Sequence, residues 1–131
     1  MLTRRSLFIT AAASGAAMTL ATAGTAIAGA AKGSFEGRSN HETSGSVRVF
    51  KEGDRYIVEL GDDFSLDGGP DPRVAFGKDG TYDPDTKLGA LLNLTGKQQY
   101  AVPKTWDASA YNEVYIWCEV AGVPLGVAKI N

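Results

Sequence analysis

The 131-residue chain contains one cysteine, Cys118, and one histidine, His41. An intrachain disulfide is thereby excluded, and so is a zinc site assembled from several Cys and His. Acidic residues are missing before Glu36, and Arg4 and Arg5 are the only charged side chains ahead of Lys32. Methionine is confined to Met1 and Met18. No Ser/His/Asp set, paired-carboxylate arrangement, phosphate loop or nucleotide fingerprint is present, so hydrolase and transferase readings have no support. From residue 29 onward eleven basic side chains face fifteen acidic ones, a net charge of −4. Nucleic acid and anionic lipid both require clustered Lys/Arg, so neither is an expected partner. The length allows a single domain.

What is present begins with a leader. Thr3-Arg4-Arg5-Ser6-Leu7-Phe8-Ile9 opens a charge-free stretch reaching Ala28, and Ala26-Ile27-Ala28 is a small-x-small cleavage site. Two arginines followed by apolar residues resemble a twin-arginine export signal. The stretch is mostly Ala, Thr, Gly and Ser, which favours a cleaved signal over a retained anchor. Residues 1–28 are therefore expected to be removed, 29–32 to form a short linker, and 33–131 to be the mature domain. That domain would lie in the periplasm or outside the cell. Membrane contact is expected only through the signal segment, if it stays uncleaved.

Beyond the leader no segment keeps helical periodicity for more than about two turns. Fourteen glycines and five prolines punctuate residues 29–131. Between them run short stretches with period-two alternation, the signature of half-buried strands. Ser46 to Phe50 and Tyr56 to Leu60, joined by Glu52-Gly53-Asp54, predict a hairpin. Phe64–Leu66, Arg73–Phe76, Leu91–Leu94, Gln99–Val102, Glu113–Glu119 and Leu125–Ile130 are further candidates. Thr105 to Tyr111 predicts one helical or 3₁₀ turn, with Thr105 as its cap. The expectation is an all-β domain, a small antiparallel sandwich or barrel of about seven to nine short strands.

The C-terminal half carries a distinctive order of motifs. Gly69-Pro70-Asp71-Pro72-Arg73-Val74 precedes Leu88-Gly89-Ala90-Leu91 and Gly96-Lys97-Gln98-Gln99-Tyr100. Tyr111-Asn112-Glu113-Val114-Tyr115-Ile116-Trp117-Cys118 and Leu125-Gly126-Val127-Ala128 follow, while Gly33-Ser34-Phe35 and His41-Glu42-Thr43-Ser44-Gly45 stand upstream. Over residues 33–131 this order resembles the DM13 domain family, with residues 77–87 as a polar insert. The resemblance implies redox or electron-transfer chemistry with a redox partner protein. It centres that chemistry on Cys118, as a bare thiol or as a ligand for a group such as haem.

Read residue by residue, the candidates keep two faces. Alternation along Glu113–Glu119 places Val114, Ile116 and Cys118 together, with Tyr115, Trp117 and Glu119 opposite. A Val/Ile/Cys face reads as core, where free cysteine behaves as a small hydrophobe. A position near the strand's end, in an oxidising compartment and without a second cysteine, also suits a reactive thiol or ligand. His41 reads as a solvated loop residue, or as a partner of Cys118 if the fold joins them. A closed blue-copper site needs a second His, and covalent c-type haem needs Cys-x-x-Cys-His; both are lacking. Trp117 is a candidate wall for a flat ligand, although aromatics in small β domains commonly fill the core. Asp71, between two prolines, is expected to be rigid and to orient a neighbour. The other aspartates of residues 62–85 read as turn residues rather than a calcium loop. Two functions remain open: an exported redox module using Cys118, or an extracytoplasmic binding module in which Cys118 is a core residue.

Overall fold

The computed structural model describes residues 30–131, so the expected export leader, residues 1–28, lies outside the described residues. Eleven strands and two 3₁₀ turns make up the domain. Seven strands have four or more residues: β1 (Ala31–Gly37), β3 (Ser46–Glu52), β4 (Arg55–Leu60), β6 (Pro72–Lys78), β9 (Gln98–Ala101), β10 (Glu113–Cys118) and β11 (Val123–Lys129). Four have two: β2 (Thr43–Ser44), β5 (Ser65–Leu66), β7 (Thr81–Tyr82) and β8 (Gly89–Ala90). The main sheet runs β8-β6-β10-β11-β1-β3-β4-β9, every pairing antiparallel, with β7 appended to β6 and β2–β5 as a separate ribbon. This sheet curls into a half-barrel around one core. The domain is all-β, and the sheet takes in Ala31 and Lys32, where a linker was expected.

Alternation decides which side chains enter the curl. Val47 and Val49 of β3 pair with Leu60 and Val58 of β4 across the Gly53 turn, and all four belong to the core. On the outer surface of the same hairpin, Arg48 pairs with the buried Glu59, which also accepts from Gln99 Nε2 at 2.9 Å. Large apolar groups fill the curl: Phe64, Phe76, Leu60, Ile116 and Leu125 are among the largest fully buried side chains.

Two expected elements differ. Leu91–Leu94 is not a strand; its backbone bends away after Gly89–Ala90, leaving Leu92 and Leu94 exposed. Here the loop joins opposite edges of the curled sheet, β8 to β9, and a path between two edges cannot itself pair within the sheet. The 3₁₀ turn is shorter than expected, Ala108–Ala110, and its cap is Asp107 rather than Thr105. Asp107 accepts from Ser109 N at 3.0 Å, leaving Thr105 upstream of the turn.

Register fixes which loops share an end. Cys118 stands opposite Pro72 on one side and Val123 on the other, Gly126 opposite Gly37, Ser34 opposite Ser46, and Leu60 opposite both Val47 and Gln98. Segments 38–45, 61–71, 91–97 and 119–122 consequently gather at one end of the half-barrel. The β2–β5 ribbon lies across that end, tied to the 91–97 loop by Leu66 N–H donating to Leu94 O at 2.8 Å. At the opposite end Tyr111 stacks on Phe76 at 5.4 Å and Ala108 is buried, closing the core there.

Candidate functional site

Cys118 ends β10, an interior strand held between β6 and β11. Its side chain points into the core with Val114 and Ile116 and is 1% exposed. The thiol donates to Pro70 O at 3.1 Å, and Ala121 N–H approaches the sulfur at 3.4 Å. The sulfur is thus roofed by the Gly68–Asp71 turn.

The turn has an unusual backbone. Gly68 and Gly69 adopt φ of +128° and +147°, a region closed to most L side chains, and Asp71 sits at +52°. Two anchors hold Asp71 there: its carbonyl accepts from Glu119 N–H at 3.1 Å, and its carboxylate takes a bidentate pair from Arg73 at 2.8 and 3.0 Å. The Arg73 guanidinium holds the Asp71 carboxyl below its usual range. Asp71 is therefore fixed by strands β6 and β10 together, and it positions the roof rather than the sulfur directly.

His41 reaches the same turn from the other side. Gly37 permits this approach, since a Cβ there would collide with the His41 carbonyl. The ring Nδ1 lies 2.8 Å from Asp67 Oδ1, and Asp67 Oδ2 accepts from Glu42 N–H at 3.0 Å. The Glu42 amide, followed by the His41 ring, keeps the Asp67 carboxyl below its usual range. The ring also lies beside Gly69, whose added Cβ would stand 3.6 Å from His41 Cε1. His41 and Cys118 therefore touch one segment, residues 67–70, at different points; among the described residues no hydrogen bond joins the two.

Trp117 is not part of this arrangement. It lies on the outer surface, stacked on Tyr82 with ring centres 3.7 Å apart and planes within 8°. A group held at the Cys118 sulfur cannot also rest on Trp117, because the two side chains leave the strand on opposite faces. Tyr115 shares the outer face, tilted against Tyr82 at 5.7 Å; burial and then the Glu113 carboxylate push its phenol up to about 12. A cleft of about 550 Å³ runs along these aromatics, with Arg38, Glu113 and Lys129 also on its walls, and Cys118 does not line it.

The aspartates serve the loops. Asp63 accepts from Ser46 N–H at 2.9 Å and Ser46 Oγ at 2.8 Å, Asp79 pairs with Asn112, and Asp83 accepts from Asp85 N–H and Tyr111 O–H. Among the described residues no cluster of three or more His, Cys, Asp or Glu could hold a metal ion. A haem does not fit the sulfur in this arrangement either. Cys118 is in closed packing beneath Pro70, and the imidazole is engaged by Asp67. The Gly69-Pro70-Asp71 turn is an expected neighbour of the sulfur, whereas the Pro70 carbonyl as its acceptor and Asp67 as the partner of His41 are not expected from sequence. A carbonyl acceptor leaves no trace in residue type, and Asp67 looks like any turn aspartate.

An all-β domain with a lone thiol roofed at the end where its loops gather is the setting in which the comparisons read most clearly. A family model described as "Electron transfer DM13" matches residues 34–130, and the chain belongs to that family. No curated protein and no solved structure matched the chain.

Proposed function

We propose that the chain is an exported electron-transfer domain, serving a redox partner protein, in which Cys118 is the redox-active group in its thiol form. The observation that carries this reading is the meeting of three separated segments at the sulfur's end of the half-barrel. The His41 loop, the Gly69-Pro70-Asp71 turn and the end of β10 are linked there by His41–Asp67, Cys118–Pro70 and Glu119–Asp71 contacts. Core cysteines need no such roof. A thiol that must react on demand does, because closed packing suppresses adventitious oxidation and opening a two-glycine turn is inexpensive. The leader supports export, since its arginine pair and cleavage-like site suit a periplasmic destination.

The binding-module reading retains one favouring observation, the 1% exposure of Cys118. Alkylation of the purified mature domain in native buffer, with its absorption spectrum, tests the first reading. Labelling of Cys118 without denaturant supports it. An unreactive thiol together with the absence of any bound chromophore leaves only the binding module. Cys118→Ser separates them further: a redox module loses electron exchange while still folded, whereas a binding module loses stability alone.

A further inference from the structure

The three exposed large hydrophobic side chains of the domain, Leu92, Leu94 and Val120, all lie at the end that carries Cys118. Leu92 and Leu94 belong to the 91–97 loop and Val120 to the turn after β10. Backbone contacts set them around the thiol's roof. Leu91 N–H donates to Pro72 O at 2.8 Å, Pro72 is the register partner of Cys118, and Val120 follows Cys118 by two residues. Burying such groups would be favourable, and a cluster confined to one end marks a contact face.

Acidic side chains outnumber basic ones around it. Glu42, Asp62, Asp63 and Asp67 are exposed at this end; among the described residues no Lys or Arg forms an ion pair with any of them, and only Asp67 has a nitrogen partner, the His41 ring. The two basic side chains of these loops reach toward carboxylates of the sheet, Arg38 to Glu36 at 3.4 Å and Lys97 to Glu59 at 3.7 Å, and both side chains stay exposed. Asp71 and Glu119 are neutralised by Arg73 and Lys87. What remains is a set of exposed apolar side chains at an end where three carboxylates, Glu42, Asp62 and Asp63, have no basic partner among the described residues. The opposite end is mixed: Lys51, Arg55, Lys78, Lys104 and Lys129 stand among Glu52, Asp54, Asp79 and Asp107.

We propose that this end is the docking face for a protein partner that presents Lys and Arg side chains around an exposed apolar centre. The inference rests on the electron-transfer reading for the partner's purpose, and on the patch alone for its chemistry. The excess of carboxylates disfavours an anionic membrane surface and a second copy presenting the same end. A partner of this kind would be steered by charge, seated by Leu92, Leu94 and Val120, and brought over the Gly68–Asp71 turn. Contacts of this class are small and transient.

The test is titration of the isotope-labelled mature domain with cytochrome c, a basic electron-transfer protein, followed by amide chemical shifts. Shifts are expected in residues 38–45, 61–71, 91–97 and 119–122, with affinity falling about tenfold between low and physiological salt. Glu42→Lys with Asp62→Lys should weaken binding about tenfold, and so should Leu92→Ser with Leu94→Ser and Val120→Ser; dispersed spectra establish that each variant is folded. Four results would overturn the proposal: no shifts at millimolar probe, shifts mapping to the opposite end, binding indifferent to salt and to both variants, or concentration-dependent shifts without the probe. Cys118→Ser should dock unchanged, so lost docking with intact thiol chemistry removes this inference alone. Intact docking with an inert thiol removes the redox reading alone.

Discussion

Replacing Gly69 by alanine should open the roof over Cys118 without unfolding the domain. Gly69 has φ of +147°, and an added Cβ would stand 3.0 Å from Leu125 Cδ1 and 3.6 Å from His41 Cε1. Backbone strain of this type costs about 1–3 kcal/mol in the closed turn. The opened turn is also affected, because alanine has fewer conformations to explore there than glycine; that offsets about 0.4–1 kcal/mol. A net penalty of about 1–2 kcal/mol multiplies the open population about five- to thirtyfold. Cys118 is 1% exposed, so alkylation must proceed through opening, and its rate under native conditions should rise by the same factor. The control is Gly53→Ala, at the opposite end, with φ of +65° and nothing within 4 Å of the added Cβ. That variant should lower global stability by a similar amount while leaving the alkylation rate nearly unchanged. The reasoning is refuted if both variants accelerate labelling equally, or if Gly69→Ala labels only with the steep denaturant dependence of global unfolding.

Acid should weaken the loop end. Ser46 N–H at Asp63, Glu42 N–H at Asp67 and the Arg73 guanidinium at Asp71 each lower a carboxyl pKa in the folded state. Stability from these groups is present above their unfolded values and is lost as pH falls through the lowered folded values. The melting temperature should be level from about pH 7 to about pH 5 and fall below about pH 4; a midpoint rising on acidification would contradict this. Tyr82→Phe should be neutral or stabilising by up to about 1 kcal/mol, because the Tyr82 hydroxyl is buried with no hydrogen-bond partner among the described residues while its ring carries the stack on Trp117. A loss above about 1 kcal/mol in urea melts would show that the hydroxyl has a partner after all.

The sequence made the regular strands legible and the ends obscure. The 46–60 hairpin and the 113–118 strand were readable because aliphatic core residues alternate in sequence with polar or aromatic ones, even though the structure buries both faces of Ile57–Leu60 and of most of Glu113–Cys118. Leu91–Leu94 misled for the same reason, since an apolar run reads as strand whether it is paired or exposed. Exposure there is set by where the sheet edges lie, which no local pattern contains. The side-by-side placement of the His41 loop and the Gly69 turn is a property of register summed over the β1–β11, β11–β10 and β10–β6 pairings and of the Thr43–Leu66 pairing of the ribbon. A sequence separation of 26 between His41 and Asp67 does not encode it. The opposed directions of Trp117 and Cys118, by contrast, follow from period two alone.

The placement of β1 between β11 and β3 has a consequence for how the domain is made. Phe35 pairs with Ala128, so the strand earliest in the sheet is completed by the strand latest in sequence. A growing chain that has not yet released residues 123–129 therefore exposes two unpaired edges, on β1 and on β10, in the middle of what will become one sheet. Such edges invite pairing with other chains. Contacts of this span also make closure slow relative to local hairpins. The domain is consequently most vulnerable during synthesis, and cellular factors that shield strand edges would act on it before β11 arrives and have nothing to hold afterwards.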